Sequence, residues 1–369
     1  MLESTDLFPP DYFSARRRFR QLASTLGCRL EACEIDATGP DGETLTVDVA
    51  YLGPDRPHTA IVLSSGLHGV EGFFGSAVQS ALLQHYLPQW LPLPEKTALI
   101  LLHAVNPYGF AWRRRCNEDN IDLNRNFLVD GQAYGGSPAR YGEFDRFFNP
   151  PSPPNQLDPF LAKTLTLALR YGIATLKNTL PVGQYDFPKG LFYGGAGPSQ
   201  TQQIMAEHLP GWIGPAQWVV HIDLHTGLGK PGTYKLLLGE SSKPDRVKWL
   251  TSKFGADLVE ISQPDKTSYR TRGSWGHWCR QTFSDRCYDF LLAEFGTYPV
   301  LAVVKALRAE NRAHWWGEPG SPAYERAKEQ LVEAFAPADR LWREQVVAAG
   351  VDLVRQALNL KQSSDRSGY

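Results

Sequence analysis

Two apolar runs, TAIVLSS at 59–65 and TALILLHA at 97–104, constrain this chain more than any other feature. A strand with one wet face alternates apolar and polar residues, whereas a near-continuous apolar run suits a strand covered on both faces. Residues 43–51 are of the alternating kind, with Leu45, Val47, Val49 and Tyr51 on one side, and residues 30–35 form another strand-like run. Further apolar segments lie at 217–224 (QWVVHIDL), 234–238 (YKLLL) and 288–294 (YDFLLAE), and residues 71–86 between the first two runs read as a helix. Strands separated by helices predict an α/β fold, a mixed and mostly parallel sheet flanked by crossover helices.

The remaining segments fit that layout. Residues 12–26 predict an amphipathic helix with Ala15, Phe19, Leu22, Ala23 and Leu26 on one face, leaving most of Arg16-Arg17-Arg18 toward water. Residues 130–157, rich in Gly, Pro, Ser and Asn, read as a long surface loop. A helix at about 158–180 and a glycine-rich stretch at 188–199 follow, and helices at roughly 299–313, 322–335 and 337–360 close the chain before a frayed tail. With no repeat and no clear linker, residues 1–369 are expected to form one domain, with an inserted region at about 130–215 and a helical C-terminus at about 299–360.

Composition narrows the function classes. The formal net charge is -1, and a protein that neutralises many phosphates carries a basic excess, so nucleic acid is not the expected partner. No stretch approaches ~18 uninterrupted apolar residues, so no membrane span is expected. The N-terminus lacks a basic segment followed by an apolar run, so no signal peptide is expected either. Five cysteines, an odd number without zinc-ribbon spacing, suit reduced thiols in a cytoplasmic protein.

Chemistry concentrates in three places. SSGLHGVEG puts His68 and Glu71 directly after the first apolar run, where the carboxyl edge of an α/β sheet gathers sites. Alone, H-x-x-E is a weak signal that a surface helix pair would satisfy equally. HIDLHTG ends a second buried strand with His225. Catalytic zinc sites commonly take two His and one Glu and keep a position for water, and His225 can supply the third ligand. His221 would stand ~13 Å away along the strand, too far to share the ion. Asp223 suits a structural or supporting role, and His103 a hydrogen-bonded core position. The third place is NPYGFAWRRRCNEDNIDLNRNF at 106–127, where arginines could grip a carboxylate or stabilise an oxyanion. Gly227, Gly229 and Gly232 spell G-x-G-x-x-G, but Pro231 and the strand-like TYKLLL argue against the helix that a dinucleotide site needs.

Taken in order, these elements resemble the zinc metallocarboxypeptidase superfamily, which includes carboxypeptidase A-like enzymes and aspartoacylase-like deacylases. The resemblance spans about residues 59–298: H-x-x-E, N-P-x-G, an arginine nine residues before the N-R of D-x-N-R-N, a distant His ending one strand and a Glu ending another. YDFPKGLFYGG and AEFGTYP look like a bacterial branch apart from the digestive members. The resemblance implies a zinc carboxypeptidase-like (phosphorylase/hydrolase-like) fold and one zinc per chain, held by His68, Glu71 and His225. It implies Glu294 as general base and Arg115 as the group that polarises the scissile carbonyl. Asn124 and Arg125 would hold the substrate's carboxylate, Asp122 would accept a hydrogen bond from His68, and Tyr269 would be the mobile substrate-binding tyrosine, with Tyr288 and Tyr234 as competitors. The resemblance implies zinc-dependent cleavage of an amide bond next to a free carboxylate, in a peptide or small amide, with an N-acyl amino acid deacylase or an inactive ligand-binding relative as the alternatives.

The sequence also departs from the family. Only 67 residues precede His68, several of them strand-like, so no removable pro-segment is expected. The helical C-terminus differs from the β-rich domain of aspartoacylase-like enzymes, and the region at 130–215 differs from the digestive enzymes.

Overall fold

The protein was analysed as a computed structural model that describes residues 7–155, 157–239, 242–261 and 271–360. Its strands are β1 (Arg29–Thr38), β2 (Thr44–Leu52), β3 (Thr59–Ser65), β4 (Thr97–His103), β5 (Trp218–Pro231), β6 (Tyr234–Leu238), β7 (Val259–Ile261) and β8 (Cys287–Gly296). They form one eight-stranded sheet in the order β1-β2-β4-β3-β5-β8-β6-β7. The central four, β4-β3-β5-β8, run parallel, while β1, β2 and β6 join through antiparallel pairings. The mixed, mostly parallel α/β sheet expected from the apolar runs is therefore present.

The middle strands behave as their composition demands. Every residue of β4 is buried, and in β3 only Thr59 is not. After β3 the chain crosses to β4 on one side and returns to β5 on the other, so the β3–β5 boundary is a topological switch point. Loops leaving neighbouring strands diverge there and open a crevice at the carboxyl edge.

Helices cover the sheet. Tyr12–Thr25 is capped by Asp11, whose side chain accepts from the Ser14 N–H at 2.7 Å, and it buries Ala15, Phe19 and Ala23. Arg16 is less free than its place in a basic run implied, since its Nε donates to the buried Asp48 at 2.7 Å. The C-terminal helices Val300–Trp316, Pro322–Phe335 and Arg340–Leu358 fall close to the expected bounds.

Several elements differ from expectation. The segment at 217–224 is longer and continues to Pro231, so Gly227 and Gly229 lie in a strand and no helix starts there, as expected. The helical stretch at 158–180 is two helices, Phe160–Tyr171 and Ile173–Thr179, broken at Gly172 (φ 84°), where a backbone open to glycine ends the first. The expected loop at 130–157 contains the helix Tyr141–Phe148, which buries Tyr141, Phe144 and Phe148. Helices Gln200–Ile213, Pro244–Phe254 and Trp275–Thr282, and the short edge strand β7, had no assigned pattern in the sequence.

Of three hydrophobic clusters among the described residues, two bear on the packing around the sheet and the 130–215 region. The larger lies on the sheet and its covering helices. A second brings Tyr141, Phe144, Leu180 and Phe192 from the 130–215 region against Leu307, Leu331 and Phe335 of the C-terminal helices, with Val70 beside them. Residues of the 130–215 region thus pack next to the His68–Glu71 turn. All five cysteines are free thiols, and among the described residues no helix is long and apolar enough to cross a membrane.

Candidate metal and catalytic site

The site begins with a backbone arrangement. After β3 the chain turns through Gly66 (φ 67°) into a short 3-10 turn, Gly69–Glu71, with His68 at its mouth. That turn is bonded to the arginine-rich segment: Gly69 N–H donates to the Arg115 carbonyl at 3.1 Å and Val70 N–H to the Arg114 carbonyl at 2.7 Å. Gly69 has to be glycine, because a Cβ there would lie 2.3 Å from the Gly109 Cα. Asn106 braces the same junction: its Oδ1 accepts from Gly109 N–H at 2.8 Å and its Nδ2 donates to the Arg115 carbonyl at 3.2 Å. The H-x-x-E and N-P-x-G elements, 38 residues apart from His68 to Asn106, are therefore one packed unit.

His68, Glu71 and His225 are brought together and buried, with one ligand atom from each within 4.8 Å of the others. His68 Nδ1 lies 2.8 Å from Glu71 Oε1, His225 Nδ1 lies 3.1 Å from Glu71 Oε2, and the two Nδ1 atoms are 3.2 Å apart. Donors ~2.1 Å from a tetrahedral ion stand about 3.4 Å from one another. The three separations fall short of that spacing by about 0.2 to 0.6 Å, close enough for the residues to fit a small divalent cation. Two imidazoles and one carboxylate are a donor set suited to zinc.

The outward ring nitrogens are also engaged. His225 Nε2 lies 2.6 Å from Asp223 Oδ2, so both of its nitrogens face carboxylates. Burial disfavours charge on His225, but Asp223 first and then Glu71 outweigh it and hold its pKa well above the usual value. His68 Nε2 lies 3.3 Å from Asp122 Oδ1 and 2.8 Å from Arg115 Nη2. Arg115 also donates from Nε to Asp122 Oδ2 at 3.0 Å, and its guanidinium stands 5.1 Å from the centre of the Phe192 ring. Burial alone would raise Asp122, but Arg115, Arg125 and His68 keep its carboxylate well below the ordinary range.

Glu294 enters from β8. Its register partner on the neighbouring parallel strand is His225, so both side chains leave the sheet on the same face. Its Oε1 accepts from the Leu228 N–H at 2.8 Å, which orients the carboxyl at the cavity wall. Burial first, and then the charge of Glu71, push Glu294 up to about 7. Glu71 itself is drawn down to about 2, because His68 and His225 outweigh the burial that would raise it. One carboxylate beside the two imidazoles and a second, more basic one nearby give the site two acids with different duties.

A cavity of 1240 Å³ runs past His68, Glu71, Arg115, His225 and Glu294. Asn124 and Arg125 reach the same cavity. Asn124 Oδ1 accepts from Trp275 N–H at 3.1 Å, while Arg125 donates from Nε and Nη2 to the Pro181 carbonyl at 3.2 and 2.6 Å. Tyr269 lies outside the described residues. Of its competitors, Tyr288 is buried 2.9 Å from His221 Nδ1 and Tyr234 stacks on Phe295. His221 is packed in the core with Ser64 and Trp275, and His103 with Ser76 and Phe19, both apart from the cluster. The sequence reading did not single out Phe192 under Arg115, Leu228 behind Glu294 or Arg280 in the cavity wall. FYGG pointed to the neighbourhood of Phe192; Leu228 acts through its backbone, which leaves no residue-type signal.

Comparisons with known proteins can be set beside this geometry. No curated protein matches the chain. Among solved structures, a candidate metallopeptidase from Shewanella amazonensis SB2B is 16% identical, with 90% of this chain and 95% of that chain covered at a TM-score of 0.44. Carboxypeptidase A from Helicoverpa armigera is 12% identical, covering 88% and 74% at a TM-score of 0.46. A succinylglutamate desuccinylase from Silicibacter sp. TM1040 is 13% identical, covering 79% and 67% at a TM-score of 0.39. A family profile matches residues 8–349, nearly the whole chain. The chain belongs to that family, which is described as Protein of unknown function (DUF2817).

Proposed function

We propose that this protein is a zinc-dependent hydrolase of the metallocarboxypeptidase type, cleaving an amide bond next to a free carboxylate. The observation that carries the reading is the meeting of His68, Glu71 and His225 at cation-binding spacing, with Glu294 presented on the same face by the strand beside His225. One zinc per chain would be held by those three side chains. When bound, the ion supplies a Lewis acid and a water of lowered pKa.

The chain's own residues divide the remaining work. Glu294, fixed by the Leu228 N–H, accepts a proton from water and returns it to the leaving nitrogen. Glu294 is pushed up to about 7 by burial and the Glu71 charge, and it would be favoured as a base at neutral pH if a cation held by His68, Glu71 and His225 offset that charge. Arg115 holds positive charge at the cavity wall where an oxyanion develops. Asp122 and Asp223 orient the two imidazoles through their outward nitrogens. Asn124 and Arg125 are the candidates for gripping the substrate's carboxylate, and an incoming carboxylate would compete with the Pro181 carbonyl for Arg125.

A second reading, an N-acyl amino acid deacylase on the same ion, is favoured by one observation. Leu161, Leu165, Ile173, Leu176 and Leu307 give one side of the cavity an aliphatic wall, and Leu161 and Leu165 are still 63% and 61% exposed. An acyl chain would cover that surface. The test is hydrolysis of C-terminally free peptides, their amidated counterparts and N-acyl amino acids by zinc-loaded protein and by Glu294→Gln. Cleavage of substrates with a free carboxylate is expected, with loss of about 100-fold or more in the variant while zinc is retained. Unchanged turnover in Glu294→Gln would remove Glu294 from the chemistry.

A further inference from the structure

One arginine in the cavity wall has no role in the site described above. Arg280 lies on the helix Trp275–Thr282, which packs so closely on β8 that a Cβ at Gly276 would lie 2.6 Å from the Phe290 ring. The Nε of Arg280 is buried without a hydrogen-bond partner, and among the described residues no carboxylate pairs with its guanidinium. Asp289 attracts Arg280 through its charge but makes no hydrogen bond to it. Asp289 leaves β8 on the opposite face from Phe290, Leu292 and Glu294, accepting from Arg246 Nε at 2.7 Å and Trp218 Nε1 at 2.8 Å.

The surroundings of Arg280 are those of a pocket end. Phe290, Leu292 and Glu294 follow one another along the cavity face of β8, and Leu237 of β6 stands opposite Leu292. Gly239 continues β6 past its end and leaves the space the guanidinium fills, since a Cβ there would sit 2.0 Å from Arg280 Nη2. Arg280 therefore lies at the Phe290 end of this row, and Phe290 is ~13 Å of strand from Glu294. Arg280 is half-buried with its Nε shut off from water, and a cation so placed is stabilised when an anion joins it.

We propose that Arg280 forms a second anion subsite of the reaction cavity, taking the side-chain carboxylate of an acidic amino acid released by cleavage. Arg125 and Arg280 both line the cavity, and they would each take one carboxylate of a dicarboxylic leaving group. This deepens the hydrolase reading above and rests on it.

The test uses the zinc-loaded protein and two blocked dipeptides, benzoyl-glycyl-glutamate and benzoyl-glycyl-glutamine, which differ in charge but hardly in shape. The wild-type protein is expected to favour the glutamate substrate by about 10- to 100-fold in kcat/KM, the range of a charge-assisted hydrogen bond. Arg280→Leu is expected to bring the ratio near one and Arg280→Lys to keep part of it. Gly239→Ala, which displaces the guanidinium without removing it, is expected to lower the ratio too. The Tm of Arg280→Leu should not fall, because an unpaired cation has been removed; a structural arginine would lower it. A wild-type ratio within about twofold, or a ratio that survives in Arg280→Leu, overturns the subsite while leaving the hydrolase reading intact. If neither compound is cleaved, that reading fails and calorimetric binding of the same pair decides the subsite. Glutamate preference abolished by Arg280→Leu supports it, whereas equal or absent binding of the two overturns it.

Discussion

At the scale of single residues, His225 shows how the cluster is prepared for a cation. Its Nδ1 faces Glu71 and its Nε2 faces Asp223, and these carboxylates favour the ring protonated on both nitrogens. A cation on Nδ1 has to displace the proton there. Apparent metal affinity is therefore expected to fall as pH drops below the raised pKa of His225, approaching about tenfold per pH unit, in competition titrations with a chelator of known affinity. Asp223→Ala removes the partner that fixes the ring and is expected to weaken metal binding by about 10- to 100-fold in the same titration. Affinity equal to wild type would show that Asp223 serves the core alone. His68 and Glu71 could be named from the sequence because H-x-x-E, weak alone, stands in order with N-P-x-G, D-x-N-R-N and the later His225 and Glu294. Arg280 could not, because its distinction is the lack of a partner, which only the folded chain reveals.

At the scale of elements, a buried ion network ties the arginine-rich segment to the C-terminal helices. Arg114 Nε lies 2.8 Å and Lys328 Nζ 2.6 Å from the same oxygen of Glu310. Burial would raise the Glu310 pKa, but the two cations outweigh it and hold the carboxyl at about 2. Lys328 shares that single carboxylate with Arg114, and burial draws it down to about 8. Two positive groups on one negative make Glu310 the residue whose loss is felt most. Because its folded pKa lies below the unfolded value, its stabilisation is present above about pH 4.5 and is lost as pH falls toward about 2. Glu310→Gln is expected to cost about 3–5 kcal/mol in denaturant unfolding at pH 7, and the gap to wild type should narrow at acid pH. A gap independent of pH would contradict this. The strands were legible because buried strands are apolar runs. The helix Tyr141–Phe148 was hidden by Gly, Pro and Ser flanks, although Tyr141, Phe144 and Phe148 carry helical spacing.

At the scale of the whole molecule, the sheet brings residues separated by 226 positions, from His68 to Glu294, to one carboxyl edge. The order of motifs made that meeting legible, while the cavity walls were not, since the 130–215 region takes its shape from packing on Leu307, Leu331 and Phe335. A ligand that binds only the folded chain stabilises it, so zinc at about 100 times its Kd should add about 2.7 kcal/mol and raise the Tm, and a chelator should reverse the gain. The most direct test of the central claim is elemental analysis of purified protein, prepared without chelator and offered zinc. About one zinc per chain, lost on replacing His68 or His225 by Ala, is the predicted result; no tightly bound divalent metal in the folded wild-type protein would contradict it.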